Sequence, residues 1–243
     1  RHFFLAQYFR DNYDRALENY PFINSNIQIT RLEVWITNRT NRTENVRNIV
    51  AFQDLGESQV LGSGVNVTAG PNAYPDNGNN AFDPTIMGQG GSQLTEAVRD
   101  IATVQTGILV PGVTEGFDYG KLESARKLNQ GQEYTLNTQL GYISLNQRLQ
   151  NDEILAVAFQ FTVGNQVYQV GEFANDGVDA TDVSVDTGTG NQIVNNNNLV
   201  LKMIKSTVTS VEEPIWDLMM KNVYNTGAFQ LSQEDFRLNI FYT

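Results

Sequence analysis

The chain has 243 residues, 40% of them apolar and 10% aromatic, enough to build a hydrophobic core and too many for wholesale disorder. Its 27 Asp and Glu outnumber 16 Lys and Arg, for a net charge of −11, and the densest basic stretch, Arg39 to Arg47, is interleaved with Asn, Thr and Glu44, so nucleic acid and anionic lipid are disfavoured as partners. There is no cysteine and a single histidine, His2, which removes thiolate zinc, iron–sulfur and cysteine-nucleophile chemistry and leaves a Ser-His-Asp triad only a terminal imidazole.

Residues 5–20 carry Phe9, Tyr13, Ala16, Leu17 and Tyr20 on one helical face, and Pro21 stops the pattern. Residues 27–37 alternate and are rich in β-branched and aromatic side chains, which predicts a strand. A polar turn over 38–45 and a second strand over 46–55 then predict a hairpin. Residues 62–92, rich in Gly, Asn and Pro, form the first of two long polar loops. A helix follows, with Ser92 as its cap, Leu94, Ala97, Val98 and Ile101 as its apolar stripe, and Gly107 as its stop.

From Leu128 the chain predicts a β-meander of three or four short strands, with 128–135 leading into 141–145 and then 154–161 and 167–173, punctuated by Gly and Asn, as at Gly164-Asn165. Ala156 and Ala158 leave room for a close neighbour on one face. Residues 174–198 are the second long loop, and 199–204 another strand. Pro214 opens a third helix over Ile215, Trp216, Leu218, Met219 and Val223, with Glu212 and Glu213 at its positive end. The alternation from Phe236 predicts a last strand whose partner lies beyond Thr243, so the chain reads as a segment of a larger protein. The expected fold is α+β and β-rich, with short antiparallel strands, about three helices and two long polar loops, in one region of 1–243 with lobes near 1–120 and 121–243. No apolar run reaches the length that spans a bilayer as a helix.

Chemical motifs are sparse. Gly88-Gln89-Gly90-Gly91 lacks the Lys-Ser/Thr of a phosphate loop. Asp176, Asp179 and Asp182 offer closely spaced carboxylates for calcium, without EF-hand spacing. No pair among the 27 acidic residues is singled out for glycoside hydrolysis. No catalytic or cofactor-binding residue is therefore assigned, and the expected role is to bind or to build.

Five stretches, in order and across nearly the whole chain, resemble the SprA/Sov family, the very large outer-membrane protein of type 9 secretion and gliding motility. They are His2-Phe3-Phe4-Leu5 with Phe9-Arg10-Asp11-Asn12-Tyr13; Pro21-Phe22-Ile23-Asn24-Ser25 with Ile29 to Asn38; Arg47 to Phe52 with Asp54-Leu55-Gly56-Glu57; Leu140 to Leu145 with Asp152 to Phe159; and Trp216 to Asn222. The resemblance implies a translocon, a giant β-barrel that passes folded cargo, with an outer-membrane shuttle protein and a periplasmic plug as partners. It implies that this segment is a soluble element at one mouth of the pore, a scaffold, cap or docking surface, and it supplies no catalytic residues. The competing reading is a carbohydrate-binding or adhesive surface module, in which Trp35, Trp216, Tyr74 and Tyr119 stack on sugars.

Overall fold

The computed structural model describes residues 1–40, 43–55, 94–109, 111–175, 179–185, 188, 191–221 and 223. The first long loop, 62–92, Asp176 and the alternation from Phe236 lie outside these residues.

The described chain is β-rich. Its strands are β1 (His2–Phe4), β2 (Ile27–Ile36), β3 (Val46–Phe52), β4 (Tyr119–Lys127), β5 (Tyr134–Asn137), β6 (Tyr142–Leu145), β7 (Leu155–Val163), β8 (Gln166–Val170), β9 (Thr181–Val185), β10 (Gln192–Asn196) and β11 (Leu199–Lys205). The α-helices are two, α1 (Gln7–Asp11) and α2 (Tyr13–Leu17).

The main sheet runs β11-β3-β4-β2-β7-β8, and β11 also pairs with β7, which closes a circuit of five strands. β7 makes the closure by dividing one edge. Its residues Leu155 to Val157 pair with β11, and Phe159 to Val163 pair with β8. Only the β11–β3 contact is parallel. Register shifts in β2 between Ile29 and Arg31, in β3 between Arg47 and Ile49, and in β11 between Met203 and Lys205 supply the bends that a small closed sheet needs.

Closure buries both faces of the central strands: Leu155 through Phe159 and Leu199 through Ile204 are buried throughout. Ala156 opposes Trp35 across one edge and Met203 across the other, and all three are at most 1% exposed. This is the close neighbour that a small side chain permits. Ala156→Leu is expected to cost about 1–3 kcal/mol by overpacking, read as a lower guanidinium chloride midpoint. An unchanged midpoint would contradict the tight Trp35–Met203 packing.

A second sheet, β1-β6-β5, is antiparallel, and Phe3 on its open edge bridges to Met219. It joins the main sheet through the Ile29 amide, which donates to the Thr138 carbonyl, and through Phe9, whose ring lies 6.4 Å from that of Phe159. β9 and β10 form a separate two-stranded hairpin.

Several expectations are corrected. β2 and β3 do not form a hairpin, because β4 is inserted between them. The expected meander is two hairpins in two sheets: β5–β6 joins β1, and β7–β8 joins β2. The second loop contains the β9–β10 hairpin.

The helical segments are shorter than their periodicity predicts. The first breaks at Asn12, whose side-chain amide donates to the Tyr8 carbonyl, a local bond that competes with helix continuation. The second is two 3-10 turns, Glu96–Arg99 and Val104–Gly107. A bridge from Leu94 to Ile108 folds the segment back on itself, Thr103 Oγ1 donates to the Ala97 carbonyl, and a Cβ at Gly107 would sit 2.5 Å from the Val98 nitrogen. The third is a 3-10 turn, Pro214–Leu218, which stops when Met219 turns extended to meet Phe3.

Candidate functional site

Three of the six buried charged residues among those described, Glu33, Arg99 and Glu172, meet at one short segment, Gly171 to Ala174, which follows β8. Glu172 receives both Arg99 guanidinium nitrogens at 2.6 Å, and its Oε2 also accepts the Val200 amide at 2.8 Å. Arg99 donates in addition to the Asn198 carbonyl, and the Asn198 side chain donates to the Val98 carbonyl. One step along, Phe173 lies under the Arg31 guanidinium, 3.8 Å from its ring centre. At Ala174 the amide donates to Glu33, whose carboxylate also accepts Lys127 Nζ at 2.6 Å and Trp35 Nε1 at 3.3 Å.

Burial pushes the Glu172 carboxyl above the ordinary carboxylate range, and the bonds from Arg99 pull it back. The side chains of Arg99 and Glu172 are only 9% and 2% exposed, which leaves no approach for a substrate. The knot fixes where the chain leaves the closed sheet, and so positions the β9–β10 hairpin that follows. On that hairpin Val183, Val185 and Val194 are 54%, 59% and 62% exposed.

His2 has a partner that sequence pattern does not disclose. Its Nδ1 and Ser144 Oγ share a hydrogen bond of 2.7 Å, because β1 pairs with β6 in the register that sets His2 opposite Ser144. Burial shifts the imidazole below its ordinary value. No carboxylate among the described residues hydrogen-bonds the ring, so the third member of a triad is missing there.

The calcium candidates are not assembled within the described residues. Asp179 is exposed ahead of β9, and Asp182 stands within β9 opposite Asn195. Among the described residues no group of three or more His, Asp and Glu could hold a metal ion. Of the aromatic candidates, Tyr74 lies outside the described residues. Trp35 and Tyr119 are each 1% exposed, and Tyr119 opens β4 against Phe52 rather than standing in a loop. Trp216, by contrast, lines a cavity.

That cavity is a cleft of about 340 Å³. Its apolar lining comes from β1 (Phe3), the end of β11 (Ile204) and the last 3-10 turn (Ile215, Trp216), with Met219 and Leu149 beside them. Arg1, Arg148 and Lys205 also line it. Lys205 Nζ donates to the carbonyls of Asn151, Glu153 and Ser206, and burial lowers its pKa. The cleft draws on residues from the first to the 219th, so no local motif announces it.

A family model described as a motility related/secretion protein, SprA_N, matches residues 2–155 and puts this closed β-rich scaffold in the class of motility and secretion proteins. The chain belongs to the SprA/Sov family. No curated protein matches it. The matched region stops at the first residue of β7, although β7 and β11 are the strands that close the sheet. No helix among the described residues is long and apolar enough to cross a membrane.

Proposed function

We propose that this chain is a non-enzymatic structural and docking segment of a large outer-membrane translocon for type 9 secretion and gliding motility. The family match over residues 2–155 carries the reading. The fold supports it. The buried Glu33, Arg99 and Glu172 spend their charges on internal bonds that hold strands and turns, which is what a scaffold requires. The exposed Val183 and Val194 face and the cleft beside Trp216 are surfaces on which protein partners can seat. The partners proposed are the parent β-barrel, its shuttle and plug proteins, and cargo in transit.

Deleting this segment from the full-length parent tests the reading. The expected result is a parent that still reaches the outer membrane, with secretion and gliding lost and with less shuttle or plug protein co-purified. Normal secretion, gliding and co-purification from the deletion strain would overturn it.

A further inference from the structure

We infer that the cleft beside Trp216 is a docking groove for an extended polypeptide segment in which carboxylate-bearing and large apolar side chains alternate. The inference deepens the docking reading and rests on it.

Three observations select that occupant. The first is size and lining. At about 340 Å³ the cleft lies in the range that holds a small ligand or a few side chains, and Phe3, Ile204, Ile215 and Trp216 give those side chains an apolar wall. The second is charge. In a chain with 27 acidic and 16 basic residues, the described residues of this wall include Arg1, Arg148 and Lys205 and no Asp or Glu. The acids adjacent in sequence to lining residues are held by other cations: Asp217, beside Trp216, by Arg10 at 3.4 Å and Lys221 at 3.1 Å, and Asp152, beside Asn151, by Arg39. The guanidinium groups of Arg1 and Arg148 form no ion pair among the described residues, and both residues are exposed. A carboxylate entering the cleft meets the Arg1 and Arg148 guanidinium groups, which no acid among the described residues has paired.

The third observation separates a peptide from a lipid or a free acid. Between β11 and the last 3-10 turn the chain runs along the cleft through Val208 and Thr209. The Val208 amide donates to Ser206 Oγ, but the Thr209 amide and the carbonyls of Val208 and Thr209 have no hydrogen-bond partner within the described protein. An extended segment can satisfy such a row of backbone groups, whereas an acyl chain cannot.

The test uses the purified chain, a short end-blocked peptide of alternating Leu and Asp, its Lys-for-Asp counterpart, and phosphatidylglycerol vesicles. Binding is followed by calorimetry and by tryptophan emission, since Trp35 is sealed in the core and Trp216 lines the cleft. Saturable binding of the acidic peptide is expected, roughly tenfold tighter than that of its basic counterpart at about 0.15 M salt. The variant R1E/R148E is expected to lose roughly tenfold in affinity for the acidic peptide, with its thermal midpoint held because both positions are exposed. Equal affinity for the two peptides, binding unmoved by R1E/R148E, or binding to the vesicles alone would each overturn the inference. A failed peptide titration beside a secretion-defective deletion strain removes the groove and keeps the docking reading; a deletion without phenotype removes the docking reading itself.

Discussion

Replacing Arg99 with alanine is expected to lower the unfolding free energy by about 3–5 kcal/mol, and the thermal midpoint by roughly 10 °C for a chain of this size. The loss is larger than the net worth of the ion pair. Arg99 and Glu172 meet through two 2.6 Å bonds, with the Glu172 side chain 2% exposed. Removing the guanidinium strands a carboxylate with no water to receive it, and it frees the Asn198 carbonyl from its Arg99 bond. Replacing both partners with apolar side chains, as in R99M/E172L, removes the stranded charge. That variant is expected to recover most of the loss, although the Val200 amide forfeits its acceptor.

The same pair makes the deficit depend on pH. Glu172 titrates above its ordinary value of 4.5 because burial outweighs its bonds to Arg99 and Val200. A carboxyl whose folded pKa is raised binds its proton more tightly in the native state. Its ionisation therefore costs stability as pH rises from the unfolded value through the raised folded one. Without Arg99 the folded value rises further and that window extends upward. Guanidinium chloride titrations of R99A and wild type should diverge more at neutral than at mildly acid pH. A deficit that is equal at both, or that shrinks toward neutrality, would show that Glu172 does not stay buried when Arg99 is gone.

The strands were more legible in the sequence than their partners. Alternation and β-branched content located β2, β3, β7, β8 and β11 to within a few residues, because a half-buried pleated surface leaves a local signature. Their pairing has no such signature. β4, with Lys121, Glu123, Ser124, Arg126 and Lys127, is too polar to stand out, and it inserts between the two strands that local reasoning joins. Helical periodicity in 94–107 reported burial of Leu94 and Val98 correctly and conformation wrongly, since a folded-back turn can bury the same stripe.

The site was harder still. Glu33, Arg99, Glu172 and Lys202 read as surface charges in isolation, yet all are under 10% exposed, because their counter-charges and carbonyl acceptors arrive from distant strands. The cleft is assembled from the chain's first strand, a mid-chain segment at Arg148 and Leu149, and the end of β11 with the stretch after it, elements that only the tertiary fold brings together.

That dependence on long-range closure gives the second large effect, at the junction between the N-terminal segment and the main sheet. Gly141 has φ of 60°, and a methyl group there would fall inside the Phe9 ring. The Gly141 carbonyl accepts the Leu5 amide at 2.9 Å, and Phe9 in turn packs on Phe159 of β7. Gly141→Ala therefore meets two costs: about 1–2 kcal/mol for the left-handed backbone and about 1–3 kcal/mol for overpacking. Phe9→Ala costs about 3–5 kcal/mol by emptying a core position. The double variant separates the terms. With the ring gone, the methyl group at position 141 has space, and only the backbone term should remain. The two losses are expected to fall short of additivity by about 1–3 kcal/mol, measured by denaturant unfolding of the four proteins of the cycle. Additive losses would mean that Phe9 and Gly141 are not in contact. The N-terminal segment would then depend on the pairing of β1 with β6, the Ile29–Thr138 bond and the Phe3–Met219 bridge, and β1, which supplies Phe3 to the cleft, would lose its packing route to β7.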